Sequence, residues 1–280
     1  MMESVVHHHL RPKKKFPHIW CPGCGHGIIL SALVRALEKT GRERDEVVLV
    51  SGIGCSSRAP TYVDFSSLHG THGRALAFAT GIKLGNPRLT VIVLTGDGDA
   101  LAIGGNHFIH ACRRNIDITT VVFNNNIYGM TGGQYSPTMP TGAFAATAPY
   151  GMIEQDFDVC NLSVATGASF VARGAVTNPV ALERYIRQGI LTKGFSVIDV
   201  VEPCPPIYGF YNKTGTALDM MRSIKERTIS IKKAESLSPE ELKGKVLTGV
   251  FIDREYREYT EEYNKVIEEA KRSIQDEEPL

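Results

Sequence analysis

Two short apolar runs, separated by a segment long enough for a helix, constrain the fold of this 280-residue chain more than any other feature. Residues 91–95 (Val-Ile-Val-Leu-Thr) and 119–123 (Thr-Thr-Val-Val-Phe) have the length and composition of buried strands. Strand, helix and strand in this order form a βαβ unit with parallel strands. We therefore predict an α/β fold, with a mostly parallel sheet flanked by helices.

A cluster of glycine and polar residues follows each of these strands. Gly-Asp-Gly-Asp occupies residues 96–99 and Asn-Asn-Asn occupies residues 124–126, with 26 residues between the second glycine and Asn125. Ligands of parallel sheets bind beyond the carboxyl ends of the strands, so Asp97 and Asn125 should face one crevice. A carboxylate, an amide oxygen and a main-chain carbonyl, that of Ile127, are hard oxygen donors that suit Mg²⁺.

The same region has features of a diphosphate site. Gly96 and Gly98 carry no side chain that would block a close backbone approach. A helix predicted to begin near Gly104 would direct amide groups and the positive end of its dipole at an anion. Gly-Asp-Gly alone is ordinary turn chemistry, but the pair of clusters on successive strands is more specific. A diphosphate bridged by magnesium fits this arrangement.

Composition narrows the class of protein. Hydrophobic residues make up 42% and charged residues 22% of the chain, and the net charge is +1. These values are typical of globular proteins and give no indication of nucleic acid or membrane binding. No apolar run approaches the ~20 residues of a membrane span, and the start lacks a secretory apolar core. We expect a cytoplasmic protein, in which six cysteines indicate metal or redox chemistry rather than disulfides.

The first two cysteines lie in Trp-Cys-Pro-Gly-Cys-Gly-His, directly before a predicted helix from Ile28 to Glu38. Amide groups and the helix dipole favour thiolates at Cys21 and Cys24. Three interpretations are open. A thioredoxin-like redox pair requires a preceding strand, which the sequence does not show. A zinc knuckle requires two pairs of Cys or His, and a [4Fe-4S] cluster requires four thiolates gathered from across the fold.

Two further cysteines favour the cluster. Cys55 and Cys204 each follow a predicted strand and can lie at the edge of the sheet where Asp97 lies. The four thiols could thus meet at one rim, although separate structural roles remain an alternative. Cys112 and Cys160 have apolar neighbours in the sequence, and we expect them to be structural.

Two other stretches are candidates for contact with a ligand or a partner. His72 is adjacent to Gly73, which lets the backbone approach a ligand, so we expect His72 to contact cofactor or substrate. We expect His69 to be an ordinary loop residue that precedes a helix. The long stretch from 137 to 156 has no clear periodicity and predicts a lid or a partner contact.

We divide the chain into three regions. Residues 1–18 contain histidine and lysine tracts and are predicted to form a mobile, solvated tail. Residues 19–212 are predicted to form the α/β domain. Residues 213–280 form a C-terminal extension, predicted to be mostly helical, with an apolar stripe between Tyr256 and Ile274. This stripe would pack on the core of the chain itself or against a partner subunit.

Six motifs in a fixed order support a family resemblance. They are Cys-Pro-Gly-Cys-Gly (21–25), Gly-Ile-Gly-Cys-Ser-Ser (52–57), His-Gly-Arg (72–74), Gly-Asp-Gly-Asp (96–99), Tyr-Gly-Met-Thr-Gly-Gly-Gln-x-Ser-Pro-Thr (128–138) and Pro-Cys-Pro (203–205). Together they resemble the β subunit of a 2-oxoacid:ferredoxin oxidoreductase, and the 2-oxoglutarate type is the most similar. The resemblance covers about residues 16–212. It implies the diphosphate-binding half of a thiamin diphosphate-binding fold.

The resemblance also implies thiamin diphosphate, Mg²⁺ and one [4Fe-4S] cluster as cofactors. Carried over by position, the magnesium ligands would be Asp97, Asn125 and the carbonyl of Ile127. The cluster ligands would be Cys21, Cys24, Cys55 and Cys204. The residues lining the thiamin cofactor would be Ile53, Gly54, Cys55, Ser56, His72, Gly98, Asp99, Gly129 and Met130.

The activity implied by the resemblance is CoA-dependent oxidative decarboxylation of a 2-oxoacid, or the reverse carboxylation, with electrons passing to ferredoxin. This sequence has one Gly-Asp-Gly module and lacks the ferredoxin-like module of the family. We therefore expect an obligate α subunit that completes the thiamin site, and an isolated chain without activity. We assign catalytic roles to His72 and Arg58. Arg58 would pair with a substrate carboxylate, with a surface salt bridge as the alternative.

Other assignments remain open at this stage. A sister enzyme acting on pyruvate or a branched-chain 2-oxoacid would share these motifs. A non-redox thiamin enzyme would not need four cluster cysteines, and an electron-transfer subunit without thiamin would not need Asp97 and Asn125.

Overall fold

The computed structural model describes residues 4–12 and 17–276, with side chains as far as residue 274. The described α-helices are α1 Val5–His8, α2 His26–Glu38, α3 Ala75–Gly85, α4 Gly105–Arg114, α5 Val159–Thr166, α6 Pro179–Leu191, α7 Phe210–Asn212, α8 Ala217–Arg227, α9 Ile231–Ala234, α10 Pro239–Leu242 and α11 Tyr259–Asp276. The described strands are β1 Val47–Ser51, β2 Ser66–His69, β3 Thr90–Gly96, β4 Thr119–Asn124, β5 Ile127–Tyr128, β6 Gln134–Tyr135, β7 Phe170–Ala175, β8 Ser196–Val201, β9 Thr228–Ser230 and β10 Val246–Asp253. None of these helices is long and apolar enough to cross a membrane.

Within the described residues, eight strands form one sheet in the order β2-β1-β3-β4-β8-β7-β10-β9. Neighbouring strands are parallel except for β10, which runs antiparallel to β7. Strands β5 and β6 form a separate antiparallel pair. The prediction of an α/β fold with a mostly parallel sheet is confirmed.

Helices cover both faces of the sheet. Helices α2 and α6 pack on one face, and α3, α4 and α5 pack on the other. Successive residues of β4 point to opposite faces, so Val121 and Phe123 join the first apolar layer and Val122 joins the second. Because both faces are buried, this strand is a continuous apolar run in the sequence, and that is what made it recognisable.

Local sequence signals explain where several elements begin and end. Helix α6 begins after Asn178, whose side chain accepts a hydrogen bond from the Ala181 amide at 3.2 Å, with Pro179 in the first turn. Helix α5 ends at Gly167, which has a φ of 106°. This left-handed conformation favours glycine and closes the helix.

Five of the described strands were not predicted (β2, β5, β6, β9 and β10), and two of them show why. Strand β2 (Ser-Ser-Leu-His) is a polar, mostly exposed edge strand without the apolar pattern that marks a strand. Strand β10 lies in the C-terminal extension, yet it adds to the central sheet beside β7. The region beyond residue 212 is therefore partly integrated into the α/β domain as well as helical.

The described part of the N-terminal segment differs from the predicted tail. His9 is buried, its Nε2 lies 2.6 Å from Oε2 of Glu38, and its ring stacks on Phe65. His9 is therefore not solvated, because its imidazole fills an aromatic packing position, whereas the mobility of the segment 1–18 stays a prediction. Residues 1–3 and 13–16, which include the lysine tract, lie outside the described residues.

Candidate active site

Four loops meet at one edge of the sheet because of the strand order. Strands β1, β3, β4 and β8 are consecutive neighbours, and all four are parallel. Their carboxyl ends therefore lie side by side. The loops that follow carry the Gly-Ile-Gly-Cys, Gly-Asp-Gly-Asp, Asn-Asn-Asn and Pro-Cys-Pro motifs.

A cavity lies between these loops. The predicted residues that line it are Ile53, Gly54, Cys55, Ser56, His72, Asp97, Gly98, Asp99, Asn125, Ile127, Gly129 and Met130. Residues to which the sequence assigned no ligand or cofactor contact complete the lining: His26, Gly96, Phe123, Tyr128 and Thr131. Every residue predicted to contact magnesium or the thiamin cofactor thus borders one cavity, while the roles of these residues stay predictions.

Asp97 lies at the base of this cavity and is 3% exposed. The hydroxyl of Ser136 donates to its Oδ2 at 2.5 Å, and the hydroxyl of Thr138 donates to the same oxygen at 2.6 Å. Burial raises the pKa of Asp97 to about 6, although the two hydroxyl hydrogen bonds act in the opposite direction. A buried carboxylate held by two hydroxyl groups is a suitable ligand for a cation, because the cation would offset the cost of burial.

The loop after β4 has a specific backbone conformation. Asn126 has a φ of 66°, and its amide group donates to the carbonyl of Thr138 at 2.7 Å. The amide oxygen of Asn125 accepts a hydrogen bond from the Ile127 N–H at 3.3 Å. Asp97, Asn125 and Ile127, whose predicted ligand atoms are a carboxylate, an amide oxygen and a main-chain carbonyl, border the same cavity. This donor set fits Mg²⁺, which takes few protein oxygens and keeps positions open for phosphate and water.

The helical backbone begins earlier than predicted. Asp97 and Gly98 already have helical backbone, a π-helical turn follows over Asp99–Ile103, and α4 begins at Gly105. The prediction of a helix starting near Gly104 is confirmed for α4, and helical backbone also extends upstream into the motif. The consequence for the site is that the amide groups of the Gly-Asp-Gly-Asp motif itself form the first helical turn beside the cavity.

His72 is held by a buried carboxylate. Its Nδ1 makes a close contact with Oδ1 of Asp99, which is 4% exposed. The Gly73 amide donates to the same oxygen at 2.7 Å, and the Thr95 hydroxyl donates to Oδ2 at 2.9 Å. Asp99 thus fixes the orientation of the His72 ring at the cavity wall. His69, in contrast, lies in β2, where its Nδ1 is 3.0 Å from the Ser51 hydroxyl.

The four predicted cluster cysteines lie close to one another. Burial, together with the neighbouring thiols of Cys204, Cys21 and Cys24, raises the pKa of Cys55 to about 12. A β-carbon placed on Gly129 would lie 3.3 Å from the sulfur of Cys204 and 3.8 Å from that of Cys55. The thiols therefore converge beside the cavity, on the side of Gly129.

In the described part of the chain, no three His, Cys, Asp or Glu side chains are grouped tightly enough to hold a single metal ion. A four-iron cluster places its thiolates around a larger body than one ion, and this arrangement of four cysteines fits such a cluster better than a zinc site. Cys112 and Cys160 are completely buried among apolar residues, as predicted for structural cysteines.

A buried ion pair lies between the thiols and the cavity. Nδ1 of His26 is 3.1 Å from Oε2 of Glu202, and both side chains are buried. Burial lowers the pKa of His26, but the Glu202 carboxylate and the Cys24 thiol together outweigh this effect and raise the pKa to about 10. The imidazole therefore carries a charge at neutral pH.

Arg58 does not line the cavity. It lies in a 3₁₀-helix, Ser56–Thr61, that leads the chain away from the cavity-lining residues 53–56. Its Nε is buried and has no hydrogen-bond partner in the described part of the chain. The role of Arg58 in binding a substrate carboxylate stays a prediction.

Residues 52–200 match the family model described as the thiamine pyrophosphate enzyme, C-terminal TPP binding domain. The matched segment runs from the loop of Cys55 into β8, so it contains every cavity-lining residue except His26. The fold and the site thus define a protein of the thiamin-dependent enzyme class.

Similar proteins narrow this class. The chain is 52% identical to subunit KorB of 2-oxoglutarate synthase from Methanocaldococcus jannaschii, over 92% of this chain and 95% of that protein. It is 49% identical to the subunit of the same name from Archaeoglobus fulgidus, over 89% and 90% of the two chains. The structure superimposes with a TM-score of 0.85 and 30% identity on 2-oxoglutarate:ferredoxin oxidoreductase from Magnetococcus marinus, solved with 2-oxoglutarate, coenzyme A and succinyl-CoA bound. That match covers 100% of this chain and 98% of the other. The chain belongs to the β subunits of the 2-oxoacid:ferredoxin oxidoreductases.

Proposed function

We propose that this chain is the β subunit of a 2-oxoglutarate:ferredoxin oxidoreductase that binds thiamin diphosphate, Mg²⁺ and one [4Fe-4S] cluster. The observation that carries the proposal is the meeting of the Asp97 cavity and four converging thiols at one edge of the sheet. A thiamin enzyme without redox chemistry needs only the cavity, and an electron-transfer subunit needs only the thiols. Both occur here in adjacent positions.

The magnesium ligands in this proposal are Asp97, Asn125 and the carbonyl of Ile127. The hydroxyls of Ser136 and Thr138 occupy one carboxylate oxygen of Asp97 and thereby fix the direction of the other. Magnesium and the amide groups of the first helical turn would neutralise the diphosphate. The protein groups therefore bind and orient the cofactor.

Thiamin diphosphate, when bound, supplies the electron sink for decarboxylation of a 2-oxoacid. The contribution of this chain is to hold the cofactor and the substrate in place. His72, fixed by Asp99 and half-buried at the cavity wall, is positioned to donate or accept a hydrogen bond there. Ile53 and Met130 are exposed apolar residues of the cavity lining, and a bound cofactor would cover them.

The cluster in this proposal is held by Cys21, Cys24, Cys55 and Cys204. When bound, it supplies one-electron transfer from the cavity to ferredoxin. Burial, and after it the neighbouring thiols, raise the pKa of Cys55, so four thiolates packed together here without a metal would be unfavourable. A cluster that neutralises them therefore suits the site, and free thiols of this kind persist in a reducing compartment such as the cytoplasm.

An α subunit is the proposed partner. Two surfaces of the described chain carry exposed apolar side chains. The first is the irregular stretch after β6, where Tyr150 is 98% exposed and Ile153 is 92% exposed. On α11, Tyr263, Val266 and Ile274 are also exposed, so this part of the stripe does not pack on the core, whereas Tyr259 at the start of the helix does. These exposed apolar surfaces support the proposal that an α subunit binds here and completes the thiamin site at the mouth of the cavity.

The test of the proposal is an anaerobic assay of the chain co-purified with its α subunit. We expect reduction of ferredoxin that requires both 2-oxoglutarate and CoA, and no turnover by the isolated chain. Turnover by the isolated chain would contradict the partner requirement. A substrate panel decides between 2-oxoglutarate and the alternative substrates, pyruvate and branched-chain 2-oxoacids.

The same panel tests Arg58. The buried Nε of Arg58 has no hydrogen-bond partner in the described part of the chain, and this supports binding of an anion at its guanidinium group. For Arg58→Ala we expect kcat/KM for 2-oxoglutarate to fall by roughly 10-fold to 100-fold, the loss of a charge-assisted hydrogen bond. An unchanged specificity constant would remove Arg58 from the site.

A further inference from the structure

The buried pair of His26 and Glu202 connects two of the segments that carry cysteines. His26 is the first residue of α2 and follows Cys24 by two positions. Glu202 directly follows β8 and precedes Cys204 by two positions. The contact of 3.1 Å between Nδ1 and Oε2 therefore joins the Cys-Pro-Gly-Cys loop to the Pro-Cys-Pro loop.

The backbone of the first loop also lies directly against the second segment. A β-carbon on Gly25 would lie 2.6 Å from Cγ1 of Val176 and 2.7 Å from Oε2 of Glu202. A β-carbon does not approach a non-bonded heavy atom this closely, so a side chain at position 25 would push the loop away from Glu202. Gly25 thus permits the close approach in which His26 reaches the carboxylate.

A third cysteine segment is linked to the same pair. The ring centroid of Trp20 lies 5.4 Å from that of His26. The indole N–H of Trp20 donates to the main-chain carbonyl of Cys55 at 2.7 Å. One connected set of contacts therefore reaches the Cys21 and Cys24 loop, the Cys55 loop and the Cys204 loop.

The environment makes the pair sensitive to substitution. The His26 side chain is 3% exposed and the Glu202 side chain is fully buried. Besides their mutual contact, the His26 ring interacts with the Cys24 thiol, and both oxygens of Glu202 lack an aligned hydrogen-bond partner in the described part of the chain. Removal of one partner would leave the other buried without compensation, and the local structure would move to relieve this.

We propose that His26 and Glu202 are positioning residues that hold three cysteine loops in the arrangement required for the [4Fe-4S] cluster. The inference rests on the proposed function, which assigns a cluster to these thiols. It adds a role for two residues that are not ligands. In metal sites generally, such supporting contacts affect metal retention as strongly as some ligands.

The experiment compares His26→Gln and Glu202→Gln with the unaltered chain, each purified anaerobically with the α subunit. Asp117→Asn is the matched control, since Asp117 Oδ2 lies 2.5 Å from the buried Lys83 ammonium in another ion pair, remote from the thiols. Iron and sulfide per chain measure cluster retention. The reaction rate of the cluster-free thiols with Ellman's reagent measures how closely the loops are held.

We expect each single variant to retain the cluster roughly 10-fold less well during exposure to a chelator, and to react faster at its free thiols. The Asp117→Asn control should be destabilised with normal iron content and thiol rate. The double variant, His26→Gln with Glu202→Gln, places two neutral amides in contact and should recover part of the loss.

Two outcomes separate this inference from the proposed function. If the unaltered protein holds a cluster and both single variants hold it equally well with unchanged thiol rates, the positioning role is wrong. If the unaltered protein holds no iron, the proposed function fails. The thiol rates then still decide whether the pair holds the loops together.

Discussion

The hydroxyl of Tyr128 donates a hydrogen bond to the main-chain carbonyl of Gly98 at 2.8 Å, across the mouth of the cavity. The ring lies so close to Gly98 that a β-carbon there would be 2.3 Å from Cζ of the tyrosine. This contact joins the loop after β3 to the hairpin of β5 and β6. It fixes the relative position of two loops that contain the magnesium ligands of the proposed site.

The first prediction concerns this contact. Gly98→Ala would force the Tyr128 ring away from the loop, and we expect a loss of about 1–3 kcal/mol in the free energy of unfolding. Binding of thiamin diphosphate, measured calorimetrically, should weaken as well because Gly98 lines the cavity. Gly81→Ala in α3 is the control, since a β-carbon there has no neighbour within 4 Å. The control should be neutral or slightly stabilising.

A second prediction concerns the cost of burying Asp97. Asp97→Asn should stabilise the metal-free chain by roughly 1–3 kcal/mol at pH 7.5, because an amide avoids the burial of a charge. Thermal unfolding of the unaltered protein should shift upward when Mg²⁺ and thiamin diphosphate are added together. The variant should lose this shift, whereas an exposed change, Asp64→Asn, should keep it. An equal shift in Asp97→Asn would exclude Asp97 as the metal ligand.

A third prediction separates the two groups of cysteines. Cys204→Ser should lower iron and sulfide per chain strongly, because serine does not replace a thiolate ligand of a cluster. Cys112→Ala, in the apolar core between the sheet and its helices, should leave the iron content unchanged and lower stability by roughly 1–2 kcal/mol. Equal iron contents in the two variants would contradict the assignment of the ligands.

The fourth prediction is a dependence of stability on pH. The ammonium of Lys39 donates to Glu183, Arg35 Nε lies 3.0 Å from its other oxygen, and together they hold the pKa of Glu183 below 4.5 despite partial burial. The stabilisation is complete above pH 4.5 and is lost as the pH falls through the lower folded-state pKa. Glu183→Gln should cost about 1 kcal/mol at pH 7 in urea unfolding, and the cost should shrink as the pH falls below the folded-state pKa. The exposed Glu262→Gln is the control, and a loss independent of pH would contradict the explanation.

Much of the fold could be predicted because its signals are local. The apolar runs of β1, β3, β4 and β8 are continuous, and the parallel arrangement then places their loops at one edge. That geometry brought Asp97 and Asn125 to the same cavity without any knowledge of side-chain positions. Short polar strands such as β2 carry no comparable signal.

Other parts of the site depend on contacts between distant segments. His26 and Glu202 are 176 positions apart, and no local pattern relates a histidine at a helix start to a glutamate at a strand end. Ser136 and Thr138 stand in a recognisable motif, but their hydrogen bonds to Asp97 follow from the hairpin fold. The carboxylate of Asp99 holds His72 by a contact that only the folded chain reveals.

The most direct test of the account is the content of iron, sulfide, thiamin diphosphate and magnesium per chain after anaerobic co-purification with the α subunit. Because ferredoxin-like modules elsewhere in the complex could also bind iron, the measurement is repeated with Cys204→Ser, and the difference is assigned to this chain. We predict one thiamin diphosphate, one magnesium and a difference of about four irons and four sulfides. A complex that contains thiamin diphosphate but shows no difference in iron would contradict the claim that cofactor and cluster share this edge of the sheet.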